Sequence, residues 1–500
     1  MKRSRISMNN TIMMNADHLA DFVTDFEDAG QLVRISAPVE SELEIAAITE
    51  HVIKSNQAGT APALLFDQVT GHKVPVLTNL YGSLPRLLQI LRTDSLDAIA
   101  DRVAGLLSPD LPEGWLDSLK MIPQFSQLLN IKPRVVKTAS CQQVVKLGRD
   151  VNLSEFPMLK CWPDEAYPTI TAGQIVTFDP DTNARFVNAR PIQVISDQQL
   201  AIRWSQHDAG YQLLQKFQSR AQQMPVAIVL GGDPVGLYSA HAPLPALTDP
   251  YAFSGFLRNR ALELVKARTI DLDVPAHAEI VMEGFIDTTA DPVEVGQVAN
   301  PTGYYSAAEK VLPLHLSAVT HRANPIWPAL IPAAPPAEEG MFSQATERIF
   351  LPLLRLMVPE LVDVHFPPSG AGRYLMFVSI QKSYPQQARR VVNALWSLER
   401  LLSLKMIVVV DGDVNVHDEP EVWYRVSTNL NPGRDLIFSE GPGDIYDHSA
   451  TVEGIGHKLG LDATRKSTAE GHPREWPAAL EMPTDIQQRV QSRLDELGLS

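Results

Sequence analysis

Lys405 stands immediately before the apolar run 406–410. A compact cation at the start of a strand could meet a phosphate at the rim of a cleft; otherwise it is a solvated rim residue. Gly231-Gly232-Asp233-Pro234 follows the apolar run 226–230. It reads as a tight structural turn rather than a phosphate cradle, because glycine-rich turns after strands are common. His207, taken alone, is either a hydrogen-bonded structural imidazole or a ligand. No G-x-S-x-G, Walker lysine loop, H-E-x-x-H or complete G-x-G-x-x-G occurs, so the usual hydrolase and nucleotide signatures are absent.

The elements that must position these residues change in period along the chain. Ser41-Glu42-Leu43-Glu44 has the form of a capping box and opens a helical stripe at Ile45, Ile48 and Val52. Short strands are expected at 63–66 and 74–78, and a boundary near the turn-rich stretch 108–112. From about 140 to 325, β-branched runs at 170–178, 186–195, 200–204, 226–230, 268–274 and 278–286 imply a sandwich or barrel. One helix, 251–266, interrupts them. The Pro/Ala stretch 331–336 reads as a linker. Beyond it, a strand at 374–380, a helix at 385–402 with Pro385 at its first turn, and a strand at 406–410 predict a right-handed crossover. Ile486, Val490, Leu494 and Leu497 form the stripe of a terminal helix with Thr484 or Asp485 as its cap. That stripe must dock on its own domain or on another subunit.

The C-terminal stretch Gly454-Ile455-Gly456-His457-Lys458-Leu459-Gly460-Leu461-Asp462-Ala463-Thr464-Arg465-Lys466, followed by Arg474-Glu475-Trp476-Pro477, resembles the G-x-G-x-K-x-G-L-D-A-T-x-K and R-x-W tail of the UbiD family. Those proteins decarboxylate aromatic and unsaturated acids with a prenylated flavin. The resemblance continues through Gly231 to Pro234, 276–284, Thr302-Gly303-Tyr304-Tyr305, Thr320-His321-Arg322, 345–354 and 405–415. It implies an α/β and β fold: a leader at 1–15, an N-terminal α/β cap at 16–130, a central flavin-binding split β-barrel at 131–330, a C-terminal α/β oligomerisation domain at 331–480 and a terminal helix at 481–500. It also implies prenylated FMN contacts from Arg203, Trp204, Ser205 and His207, a metal-fixing role for His207, and phosphate binding by Lys405.

Several family positions are occupied by other residues. Phe186 and Pro250 stand where the family has metal-binding Asn and Glu, which places Mn2+ or Mg2+ in doubt. Pro191 replaces the substrate-binding Arg; Val295 and Asn300 replace two acids of the proton-transfer network. Decarboxylation needs a cation for the carboxylate and an acid to return a proton. Asn300, with the neighbouring Arg190 and Glu294, are the candidate catalytic residues. One-residue offsets on strands reverse the face, so Arg190, Glu294 and Asp249 are expected at the surface. Two readings follow from the resemblance: a UbiD-like carboxy-lyase with most catalytic residues replaced, or a non-catalytic structural or regulatory subunit of the same fold.

Composition narrows the setting. No run approaches the roughly 20 apolar residues a bilayer requires. Only Cys141 and Cys161 occur, which fits a reducing cytoplasm. With 43 basic against 58 acidic residues, a net −15, the surface repels phosphate backbones, so nucleic acid is not an expected partner. The family pattern implies a homodimer or higher oligomer.

Overall fold

The structure, a computed structural model, describes residues 16–107, 131–244, 248–398, 401–494, 496, 497 and 499. The expected leader and the boundary at 108–112 lie outside the described residues. No helix among the described residues is long and apolar enough to cross a membrane.

The first sheet orders Leu32–Ile35, Ala63–Phe66, Val76–Thr78 and Trp327–Ala329. Its last strand comes from far along the chain and pairs parallel to Val76–Thr78. Helices Leu19–Asp28, Glu44–Ser55, Leu84–Ile90 and Leu96–Leu107 belong to the same part of the chain. The stripe at Ile45, Ile48 and Val52 packs inward as expected, but Ser41 does not cap it. Leu43, at φ 66°, precedes the helix, and the Glu44 carboxylate reaches back to the Glu40 N–H at 2.8 Å.

The central sheet has nine strands. Its main path runs Thr169–Ile170, Ile192–Ser196, Gln199–Ile202, Pro313–His321, Ile280–Ile286, Met224–Leu230, Gly173–Phe178 and Arg185–Ala189; Val144–Leu147 adds beside Pro313–His321. All of these pairings are antiparallel. Thr169–Ile170 and Gly173–Phe178 lie towards opposite ends of that path, yet only Thr171 and Ala172 separate them. Arg190 and Pro191 likewise join the strand at one end to the second strand from the other. A two-residue link spans at most about 11 Å, so the sheet must curl on itself into a half-barrel. The two links lie along its seam.

Two helix assignments shift for physical reasons. The helix expected over 251–266 is Pro250–Arg258; Asn259 ends it in the left-handed conformation at φ 54°. Glu263–Lys266, with Leu264 and Val265 buried, is a strand paired with Asp273–Pro275 and Arg134–Val135. The helix expected over 385–402 is Gln387–Trp396, because Gln386 adopts φ 64° and leaves Pro385 outside. It still crosses between the parallel strands Leu375–Ile380 and Met406–Asp411. These belong to a five-stranded sheet ordered Leu361–His365, Leu375–Ile380, Met406–Asp411, Ile455–Asp462 and Leu436–Pro442. The 331–336 stretch is buried at its start, while Ala334 and Pro336 are exposed. Ile331 and Ala333 are buried, and the Pro332 carbonyl accepts from Trp162 Nε1 at 2.7 Å.

The glycine pair at 231 and 232 is a structural turn, with φ 69° and 85°. Gly232 backs onto the chain at His277, where an added Cβ would sit 3.1 Å from the carbonyl oxygen. The turn aims Asp233 at two buried arginines, Arg92 at 2.8 Å and Arg258 at 3.1 Å. Arg92 follows a helix beside the first sheet and Arg258 closes one beside the half-barrel, so a single carboxylate ties the two together.

Candidate active site

The seam of the half-barrel faces Glu339, Arg373 and Tyr446 of the C-terminal part of the chain across a 60 Å3 cavity. Arg190, from one of the two-residue links, enters it from the seam. It is not the surface arginine that strand alternation predicts: residue 190 lies between strands, where alternation does not apply. Its Nη2 pairs with Asp208 at 2.5 Å. His241 ends the helix Val235–His241. Its Nδ1 donates to the Leu237 carbonyl at 3.0 Å, so that in the neutral ring Nε2 is the nitrogen free to accept.

The opposite wall comes from the C-terminal part of the chain. Glu339 immediately precedes the helix Gly340–Ile349. Burial raises its pKa above the ordinary carboxylate range, against the pull of Arg373 and Arg190. Arg373 pairs with Asp444 at 2.9 Å and lies 5.2 Å from the Tyr446 ring centroid. A second cavity of 220 Å3 shares His241, Pro301, Glu339 and Arg373 with the first. Two guanidinium groups, one acid with a raised pKa and one imidazole thus meet at one recess.

Asp208 also accepts from the Ser205 N–H at 2.9 Å, which links this recess to a 320 Å3 cavity bordered by Trp204, Ser205, His207, Glu309, Glu453 and Gly454. Arg203 is buried behind it, paired with Glu309 and, at 3.7 Å, with Glu453. Its Nη1, and Trp204 Nε1, are buried donors without a partner. Lys405 Nζ lies 3.0 Å from Asp447 and also bonds Ser449. The loop 443–454 therefore supplies carboxylates to Arg373, Lys405 and Arg203, and the Tyr446 ring to the smaller cavity.

The other candidates lie elsewhere. Asn300 is buried, but its Oδ1 accepts from the Thr302 N–H and hydroxyl at 2.9 and 2.6 Å, and its Nδ2 donates to Ser306 at 3.2 Å. It is consumed in closing its own turn. Glu294 is exposed on a hairpin opposite Lys310. Asp249 caps the helix Pro250–Arg258 and pairs with Arg185 at 2.5 Å. His207 is exposed over Gly454. Among the described residues, the one group with metal-ligand spacing excludes His207; it is Glu347, His365 and His417. Sequence reasoning missed His241, Glu339, Arg373 and Tyr446. Only the acidic pair after the proline-rich stretch carried a hint of the second of them. Its neighbour Glu338 faces the other way, accepting from the Tyr81 N–H at 2.6 Å.

Comparison with known proteins fits this geometry. Residues 23–103, 134–335 and 340–463 match, in turn, the N-terminal, Rift-related and C-terminal domains of the 3-octaprenyl-4-hydroxybenzoate carboxy-lyase family. An uncharacterised protein of Aquifex aeolicus is 39% identical, over 96% of this chain and 98% of its own. One from Archaeoglobus fulgidus is 36% identical, over 97% and 99%. Vanillic acid decarboxylase of Sedimentibacter hydroxybenzoicus in its closed form superposes with a TM-score of 0.83 at 26% identity, over 97% and 99% of the two chains. The open form of that enzyme gives 0.75. HmfF of Pelotomaculum thermopropionicum, a UbiD-class enzyme in complex with FMN, gives 0.75 at 26% identity, over 92% and 97%. The half-barrel, its seam and the matches along nearly the whole chain lead to one conclusion: this protein belongs to the UbiD family.

Proposed function

We propose that the protein is a carboxy-lyase acting on an aromatic or α,β-unsaturated acid, with prenylated FMN held along Arg203, Trp204, Ser205 and His207. The observation that carries this reading is the meeting of Arg190, Arg373, Glu339 and His241 at one recess. Each arginine has one carboxylate partner, and a guanidinium has five N–H donors, so both keep donors for a substrate carboxylate. Glu339, whose pKa desolvation raises against the pull of Arg373 and Arg190, is the acid that would return a proton to carbon after CO2 leaves. His241 lines the same recess and keeps Nε2 as a hydrogen-bond acceptor for it. Pro191, Pro301 and Leu330 give the recess apolar walls that exclude water.

The unpartnered Arg203 Nη1 and Trp204 Nε1 fit the acceptor edge of a flavin, and Lys405 and His207 its phosphate. When bound, a prenylated flavin supplies an electron sink for the pair released from the carbon–carboxylate bond. Phe186 and Pro250 offer no ligand to Mn2+ or Mg2+. A second reading, the non-catalytic subunit, is favoured by one observation: Asp447, Glu309 and Glu453 already neutralise Lys405 and Arg203. Co-expression with a flavin prenyltransferase separates the two. Visible absorbance, a matching cofactor mass and CO2 release from a panel of aromatic and acrylic acids are expected. Colourless protein without turnover would overturn the enzyme reading.

We propose further that the protein is a homodimer or an oligomer of dimers. The terminal helix Thr484–Gln491 has no buried residue, and Val490 on its apolar stripe stands 48% exposed. Such a face requires another surface. Truncation before Pro483 is expected to lower the mass measured by light scattering; an unchanged mass and melting temperature would remove the helix from the interface.

A further inference from the structure

We propose that Glu347, His365 and His417 form a binding site for a first-row divalent transition metal, separate from the flavin region. The three come from different elements: Glu347 from the helix Gly340–Ile349, His365 from the end of the strand Leu361–His365, and His417 from the turn before the helix Glu419–Asn429. One ligand atom of each lies within 4.8 Å of the other two. Glu347 Oε2 is 3.0 Å from His365 Nδ1, and Oε1 is 3.7 Å from His417 Nδ1. The second distance is too long for a hydrogen bond. Donors bound at about 2.0–2.1 Å to a tetrahedral ion stand roughly 3.3 Å apart, so these spacings bracket what an ion between them would set.

The surroundings orient the ligands as a metal site requires. His417 Nε2–H donates to Asp363 at 3.2 Å, which leaves the Nδ1 lone pair facing Glu347. Arg348, at 2.6 Å, and the Val364 N–H, at 2.8 Å, hold Asp363 in turn. This carboxylate–histidine arrangement fixes a metal-binding tautomer. Glu347 is 1% exposed, and its other partner is the Phe366 N–H at 2.7 Å. Its sequence neighbour Arg348 is turned to Asp97 and Asp363. A buried carboxylate facing only imidazoles and one amide is short of positive charge, and a divalent ion supplies it. Two imidazoles and a carboxylate suit Zn2+, Fe2+ or Co2+ rather than Ca2+. His417, 35% exposed, leaves a solvent side for a water ligand. Because Glu339 starts the same helix, the ion would pin that helix to the C-terminal sheet.

The test uses the full chain, stripped with chelator and titrated with Co2+. One equivalent with ligand-field absorption is expected in the wild type and its loss in His365→Ala/His417→Ala, with circular dichroism unchanged. Asp363→Asn is expected to weaken binding about 10–100-fold at the same stoichiometry. If the double variant fails to fold, His417→Gln alone serves, at the most exposed ligand. Equal Co2+ uptake by wild type and variant, or none by either, would overturn the site and leave a Glu–His hydrogen-bonded cluster. Flavin content does not enter either readout, so this test stands apart from the proposed reaction.

Discussion

Glu339→Gln is expected to lower turnover about 10²–10⁴-fold while leaving flavin content unchanged, the range that loss of a positioned general acid produces. In barrier terms this is about 2.7–5.4 kcal/mol. Glutamine keeps the shape and hydrogen-bonding of the carboxyl group but has no proton to give. The pH profile carries a second signature. Burial raises the Glu339 pKa, with Arg373 and Arg190 opposing, so the protonated form persists above the ordinary carboxylate range. Turnover should therefore fall on the alkaline side as the group ionises, and Glu339→Gln should abolish that limb. Retention of more than a tenth of the wild-type rate, or an unchanged profile, would place proton return elsewhere.

Asp233→Ala should be among the most damaging single substitutions for stability, costing about 3–5 kcal/mol, the range for breaking a buried ion pair by removing one partner. Asp233, Arg92 and Arg258 have side chains 2%, 6% and 3% exposed. Removal of the carboxylate leaves Arg92 with backbone acceptors alone, Ala16 and Ile90, and Arg258 with Asp17. It also frees the Val235 N–H, which Asp233 Oδ1 accepts at 3.0 Å. Asp233→Asn, which preserves an acceptor for that N–H, should cost less. Denaturant midpoints of the three proteins check the order; a loss below about 1 kcal/mol for alanine would mean the cluster relaxes to water.

Short buried strands were legible in the sequence because their period and β-branched content leave few alternatives. Residues 63–66 and the parallel pair near 375–380 and 406–411 are examples. Helix ends were not, where Leu43, Asn259 and Gln386 take positive φ values that no local pattern announces. At the site, the family motif drew attention to 203–207, of which Trp204, Ser205 and His207 border one cavity. Arg190 was misjudged, since a rule for strands was applied to a residue in a link between them. His241, Glu339 and Arg373 are far apart in sequence, and each is unremarkable alone. Only closure of the half-barrel seam against the C-terminal part of the chain gives them a shared environment, and pKa shifts of this kind arise from burial that a linear pattern does not contain.

The late strand Trp327–Ala329, which completes the first sheet beside Val76–Thr78, also sets an order of events during synthesis. A ribosome releases the early strands about 250 residues before their final neighbour, roughly 12–50 s at ordinary elongation rates. For that interval the Val76–Thr78 edge is an open template for foreign strands. The first hundred residues are thus not an autonomous folding unit, and a fragment ending before Trp327 would be expected to need a chaperone or to aggregate.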